Sequence, residues 1–172
     1  MTRSRQKVRP VRVEGDVAFV PLSNGQEAII DAADLHLVDG WNWAAKVRPW
    51  TTYAGRTAYD GNAKTDVKLH RIILGASGAQ IVDHKNGNGL DNRRTNLRIV
   101  TASQNAQNAA KRKDNSSGCK GVGFHKKIGL WEAYINASGK RLNLGYHASP
   151  EQANAAYLKA SAEMHGEFGR AV

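Results

Sequence analysis

The chain has 172 residues, 41% of them hydrophobic, with 25 Lys and Arg against 15 Asp and Glu, a formal net charge of +10. That length allows one to two small domains with modest cores, and a basic excess of this size suits a polyanionic partner, nucleic acid above all. No apolar run approaches the roughly 20 residues of a membrane helix, and the single cysteine, Cys119, excludes an internal disulfide and any multi-cysteine zinc ribbon.

Residues 1–13 carry Arg3, Arg5, Lys7, Arg9 and Arg12 without an acid. They read as a flexible basic arm, lying along phosphates or fraying as a tail. No apolar region follows, so the start is not a signal peptide and the protein is expected in the cytoplasm. Ala18–Leu22 and Glu27–Ile30 flank Ser23-Asn24-Gly25, a hairpin signal. Asp31 is placed to cap a short helix through Leu35. Trp41, Trp43, Trp50, Tyr53 and Tyr59 recur in a stretch rich in Gly, Thr and Asn, and are expected in the core of a small domain, with stacking on bases as the alternative. Lys68 to Leu74 forms a short helix or strand ended by Gly75.

The densest chemistry lies between Val67 and Arg112. Ile81-Val82 enters a strand with Asp83-His84 at its end, and 85–95 (KNGNGLDNRRT) is loop chemistry. Leu97–Val100 is the returning strand. Thr101 with Gln104 is a capping box, opening a helix that runs to about Lys111 with Asn105 and Asn108 one turn apart. Asp83 and the Asn105 carboxamide are hard oxygen donors suited to Mg²⁺ or Mn²⁺. His84 is a general base for neutral pH. Adjacent strand residues point to opposite faces, so Asp83 and His84 serve one site only where the strand ends or bends.

After a charge run, 113–118 reads as a linker. Strands follow at Lys120–His125, Leu130–Asn136 and Arg141–Tyr146, with a turn at Ser138-Gly139. Ser149-Pro150-Glu151-Gln152 starts a helix, whose apolar face is Ala153, Ala156, Tyr157, Ala160 and Met164, and Gly166 ends it. Trp131, Ala133, Ile135, Leu142 and Leu144 alternate onto the sheet face that meets this helix. The other face offers Tyr134, Asn136, Arg141 and Asn143, near Lys120, His125, Lys126 and Lys127, a set suited to base edges and phosphates.

Asp83-His84, then Asn96, then Asn105, with Asp91-Asn92-Arg93 in the loop and Leu69-His70-Arg71 upstream, resembles the His-Asn-His (HNH, ββα-metal) endonucleases. The nearest branch is that of phage and intron homing enzymes, whose third signature residue is Asn. The resemblance implies His84 and Asn96 as catalytic residues, Asn96 by tying the loop so that Asp83 and His84 face the helix. It implies Asp83 and Asn105 as ligands of one Mg²⁺ or Mn²⁺ per site, with no structural zinc. Arg93 and Arg98 join the residues expected on DNA. His70 is expected to be structural, with phosphate contact or packing beside the site as the alternatives.

Lys120-Gly121-Val122, Trp131-x-Ala133-x-Ile135, Leu142-x-Leu144-Gly145-Tyr146 and the Ala155-Ala156-Tyr157 helix resemble the plant ethylene-response-factor (Apetala-type) DNA-binding domain. That resemblance implies a sheet laid in the major groove. Gly123 departs from it, standing where the plant domain has an arginine.

The expected architecture is α+β: a basic arm and β-rich segment over 1–66, the ββα-metal unit over 67–112, the linker, and a three-stranded antiparallel sheet backed by one helix over 119–168. The expected activity is metal-dependent endonucleolytic hydrolysis of double-stranded DNA, nicking one strand per site, by a monomer or homodimer with no membrane association. A DNA-binding regulator with a degenerate nuclease unit is the alternative from another class, and RNA as target a third.

Overall fold

The computed structural model describes residues 7–111 and 115–170. Arg3, Arg5, Arg112 and Lys113 lie outside them, with part of the expected linker. The fold is α+β, with four small sheets among the described residues, and it forms two compact units, residues 1–99 and 100–172.

In the first unit, β1 (Arg12–Glu14), β2 (Val17–Pro21) and β3 (Glu27–Asp31) form an antiparallel meander in the order β1-β2-β3, with the expected hairpin between β2 and β3. Alternation sends Ala18, Val20, Ala28 and Ile30 into the core, where Trp43, Leu69 and Ile73 meet them. A 3₁₀ helix over Ala32–Leu37 follows. Asp31 precedes it but makes no side-chain cap; its carboxylate accepts instead from the Arg94 backbone N–H at 2.8 Å.

The arm is not free from residue 7 onward. The Arg9 backbone N–H donates to Asn42 Oδ1 at 3.0 Å, its guanidinium reaches the Trp43 carbonyl, and Asn42 Nδ2 donates to the Lys7 carbonyl at 3.1 Å. Arg12 lies over the Phe19 ring and pairs with Glu14 and, at 2.9 Å, with Glu27. The acids that tie it down arrive from β1 and β3.

A second antiparallel sheet, not expected from the sequence, joins β4 (Ala44–Val47), β5 (Thr52–Asp60) and β6 (Ala63–Lys68) in that order. Its inner face packs Ala45, Ala54 and Val67 on the core. The aromatics divide: Trp43 is fully buried, whereas Trp41, Trp50 and Tyr59 are exposed. Trp41 is covered on one face by the Arg56 guanidinium at 3.9 Å, so the expected all-aromatic core is corrected to one tryptophan. Helix α1 (Leu69–Ile73) ends at Gly75, and β7 (Ile81–His84) pairs with β8 (Leu97–Val100) as expected.

In the second unit, α2 (Ala102–Asn108) opens on Thr101 with both halves of the capping box formed. It stops short of Lys111, because Ala109 is extended and the Lys120 ammonium takes the last carbonyls. Strands β9 (Val122–His125), β10 (Leu130–Ala137) and β11 (Lys140–His147) form an antiparallel sheet, order β11-β10-β9, backed by α3 (Pro150–His165). Ser149 caps α3 through the Gln152 N–H and Gly166 ends it at φ +52°.

Ser138 and Gly139, both at positive φ, make the two-residue turn between β10 and β11. Two corrections concern the face between sheet and helix. Ala133 pairs with Gly145 but Tyr134 with Asn143, so Leu144 is an extra, bulged residue, and Leu142 near the strand end stays exposed. On α3 it is Ser161 and His165 that are buried while Met164 is exposed; the His165 ring donates through Nε2 to the Asn136 carbonyl at 2.9 Å.

Candidate active site

Asp83 and His84 end β7, and both are buried. The loop that follows is held by side-chain amides. Asn96 Oδ1 accepts from the Asn86 N–H at 3.1 Å, while its Nδ2 donates to Asn86 Oδ1 at 3.0 Å and to the Asp91 carbonyl at 2.7 Å. Asn86 Nδ2 reaches Asp91 Oδ2 at 2.9 Å. The Lys85 N–H closes on the Asn96 carbonyl at 2.9 Å, and Gly87, at φ +72°, turns the chain back toward the His84 carbonyl. Short Asn side chains can replace backbone partners in this way, so the loop keeps one shape without regular structure.

The N-terminal sheet and β5 brace the same loop. The Ile29 N–H donates to the Leu90 carbonyl at 2.8 Å and the Asn92 N–H to the Ile29 carbonyl at 2.7 Å, so β3 carries the loop on its edge. The Gly89 N–H donates to Thr51 Oγ1 at 2.8 Å. A Cβ at Gly89 would lie 2.5 Å from the Thr52 carbonyl oxygen and 2.7 Å from the Tyr53 ring, so only glycine fits. Arg94 spans to the 3₁₀ helix, where its guanidinium grips the buried Asp34 carboxylate at 2.7–3.2 Å.

Two rings flank the His84 imidazole. His70 lies edge-on to it with centroids 5.2 Å apart, Tyr53 is 5.7 Å away, and Tyr53 and His70 are 5.4 Å apart. Asn92, fully buried, fixes the ring's protonation. Its Nδ2 donates to the Leu90 carbonyl at 3.0 Å, which turns Oδ1 toward His84 Nε2 at 3.3 Å. Nε2 therefore carries the proton and the basic lone pair resides on Nδ1. Burial lowers the His84 pKa, against the opposing pull of Asn92, Asp83 and Asp91, so the imidazole is neutral near pH 7. Burial takes His70 down to about 3, helped by His84, Lys68 and Arg71, and its Nδ1 has no hydrogen-bond partner among the described residues.

Asp83 and Arg98 form an ion pair across the β7–β8 pair at 2.9 Å, with side chains only 9% and 10% exposed. Arg98, expected on DNA, is thus turned inward. Arg93, also expected on DNA, clamps Asp91 at 2.7 and 2.8 Å, and its guanidinium holds that carboxyl below the usual range. The donor chemistry in this unit fits a hard divalent ion held through few protein ligands: Asp83 would supply one oxygen, and Mg²⁺ typically fills its remaining positions with waters and phosphate. Among the described residues no three His, Cys, Asp or Glu side chains gather into an ion cage.

The structure thus brings together Asp83, His84 and Asn96. Asn105 stands on α2 in the second unit, exposed, with Asn108 buried. Asn92, Tyr53 and His70 are the neighbours that sequence reasoning undervalued. The Asp91-Asn92-Arg93 triplet was a signal for the first; nothing in the Gly- and Thr-rich stretch distinguishes Tyr53.

The residues expected on DNA in the second unit share the outer sheet face in part. Arg141 stacks on Tyr134 at 3.6 Å and donates to Glu132 at 2.9 Å, and Asn143 donates to the same carboxylate at 3.1 Å. His125 packs edge-on against Tyr146. Lys126 and Lys127, in the β9–β10 turn, and Asn136 are exposed. Lys120 points elsewhere: its ammonium donates to the Gln107 and Ala109 carbonyls at 2.5 and 2.7 Å, and burial lowers its pKa.

The family model of the HNH endonucleases matches residues 67–107, spanning α1, β7, the asparagine-held loop, β8 and most of α2. The chain therefore carries an HNH endonuclease domain, the mark of a nuclease and so of a hydrolase, and this family implies DNA as the substrate. It belongs to one family with protein 3.8 of Escherichia phage T7, which is 33% identical over 89 residues, covering 52% of this chain and 73% of the phage protein. No solved structure matches the chain. Among the described residues no helix is long and apolar enough to cross a membrane.

Proposed function

We propose that this protein is a metal-dependent DNA endonuclease of the homing type, acting on duplex DNA in the cytoplasm and nicking one strand per site, as a monomer or homodimer. The observation that carries the reading is the His84 imidazole, kept neutral by burial and oriented by Asn92 beside the buried Asp83. His84 takes the proton of the attacking water at Nδ1. Asn96 acts through the loop it ties and does not itself touch the phosphate. Asp83, with Asn105 as the second oxygen expected from the resemblance, holds one Mg²⁺ or Mn²⁺. Such an ion supplies charge stabilisation at the phosphate and the departing 3′ oxygen.

The catalytic unit is taken as 67–112, preceded by the β-rich segment over 1–66 and joined through 113–118 to the βββα segment, 119–168. That segment is read as an ethylene-response-factor-like targeting domain, with Tyr134, Asn136, Arg141, Asn143, His125, Lys126 and Lys127 toward DNA. Linking two weak contacts raises affinity through effective concentration.

A plasmid-nicking assay with and without EDTA tests the reading. Wild type nicks only with metal, while His84→Ala and Asp83→Ala retain duplex binding and lose nicking. Metal-dependent nicking by His84→Ala would overturn the general-base role. The Asp83–Arg98 pair favours one second reading, a DNA-binding regulator with an inactive nuclease unit, because a carboxylate committed to a guanidinium is a weaker metal ligand. Wild-type binding without nicking in Mg²⁺ or Mn²⁺ selects it.

A further inference from the structure

The sheet β4-β5-β6 has one face in the core; the other leads away from His84. Cross-strand register puts Lys46 opposite Tyr53, Lys68 opposite Gly55, Asp66 opposite Thr57 and Lys64 opposite Tyr59, and period-two alternation places all eight on the face opposite Ala54. Tyr53, at the inner end, packs against both His84 and His70. Tyr59, at the outer end, is 71% exposed. Six residues of strand separate the two tyrosines, about 20 Å at roughly 3.4 Å per residue.

The charges on this face are not balanced. Its one acid, Asp66, is engaged by Lys46 at 3.3 Å, whose side chain runs over Gly55, where a Cβ would lie 3.1 Å from Lys46 Cγ. Lys64 and Lys68 are exposed and, among the described residues, form no ion pair. Arg48, exposed, lies close enough to Tyr53 to oppose the upward push that burial and Asp83 exert on its hydroxyl.

We propose that this face is a track for the phosphate backbone of the duplex on one side of the scissile bond. Arg48, Lys68 and Lys64 contact phosphates at increasing distance from His84, and Tyr59 packs on the backbone at the far end. The occupant is duplex DNA because the face is cationic and runs without a break from the catalytic imidazole. Its length covers about six phosphates of one strand at 3.4 Å each. The inference rests on the nuclease reading for its direction, and its test does not require cleavage.

The test measures affinity of the full chain for a random-sequence duplex in EDTA across a salt series. The expected result for Arg48→Ala/Lys64→Ala/Lys68→Ala is weaker binding and a log–log salt slope shallower by about 0.9 per removed cation. Lys64→Ala alone, at an exposed hairpin position, gives one such step without risk to the fold. Lys64→Arg keeps the wild-type slope and Lys64→Glu weakens binding beyond Lys64→Ala. A wild-type slope in the triple variant overturns the track. So does a Lys64→Glu variant that binds DNA normally but shifts from dimer to monomer, which would make the face a subunit interface. A shallower slope in a protein that never nicks leaves the track standing and sinks the nuclease reading alone.

Discussion

At the scale of single residues, the site turns on one buried amide. Asn92 presents an acceptor to His84 Nε2 because its own Nδ2 is spent on Leu90, and so it selects the imidazole tautomer. Asn92→Leu should remove that selection, leave a buried N–H unpaired at a cost of about 1–3 kcal/mol, and lower nicking on the order of 10²-fold through misorientation of the base. Single-turnover rates compared with duplex affinity separate the two effects, since affinity stays unchanged. His70 adds a pH dependence. Its folded pKa, about 3, lies below the ordinary 6.5, so the unfolded chain binds the proton more readily. Its contribution to stability is complete above about pH 6.5 and is lost as pH falls toward 3, by at most about 1.4 kcal/mol per pH unit. Urea midpoints at pH 7.5, 5.5 and 4 should fall less steeply for His70→Phe than for wild type.

At the scale of elements, the HNH loop is pinned by partners distant in sequence: β3 through Ile29, β5 and the turn before it through Tyr53 and Thr51, and the 3₁₀ helix through Asp34. Gly89→Ala should force the loop off Tyr53, destabilise the protein by about 1–3 kcal/mol and depress nicking. A thermal melt and a nicking assay on the same sample check both. Elements with local signals were legible in the sequence: the β2–β3 hairpin turn, the Thr101/Gln104 box, the Ser149-Pro150 start and the strands flanking the loop after Asp83-His84. The β4-β5-β6 sheet was not. Its outward positions mix Lys, Tyr, Thr, Gly and Asp and its inward ones mix Ala and Val with Thr, Arg and Asp, so the hydrophobic alternation that marks a strand is nearly flat. Pairings across long separations were equally hidden. Nothing in the order of residues tells that Arg98 turns to Asp83, Arg93 to Asp91, or Glu132 to both Arg141 and Asn143.

For the whole molecule, the excess of ten positive charges is distributed unevenly in its availability. Arg9, Arg12, Arg93, Arg94, Arg98 and Lys120 are engaged within the fold. Exposed cations such as Lys64, Lys68, Lys126 and Lys127 remain to meet a polyanion. Duplex affinity should therefore drop steeply with salt, and Arg141→Ala/Lys126→Ala should both weaken it and flatten that dependence. Unchanged binding would clear the outer face of the second unit of a role. Glu132→Gln should have the opposite sign, tightening binding by releasing Arg141 from its carboxylate partner.

The loop sewn by asparagines also holds two positions at which the protein can age. Asn86 is followed by Gly87 and Asn88 by Gly89, the dipeptide in which a side-chain amide is most readily lost through a succinimide. Conversion of Asn86 to a carboxylate would set it against Asp91, replacing a donor by a like charge. Stored protein should then lose its cutting activity in step with isoaspartate formed at that dipeptide, while its far-ultraviolet spectrum stays that of fresh material.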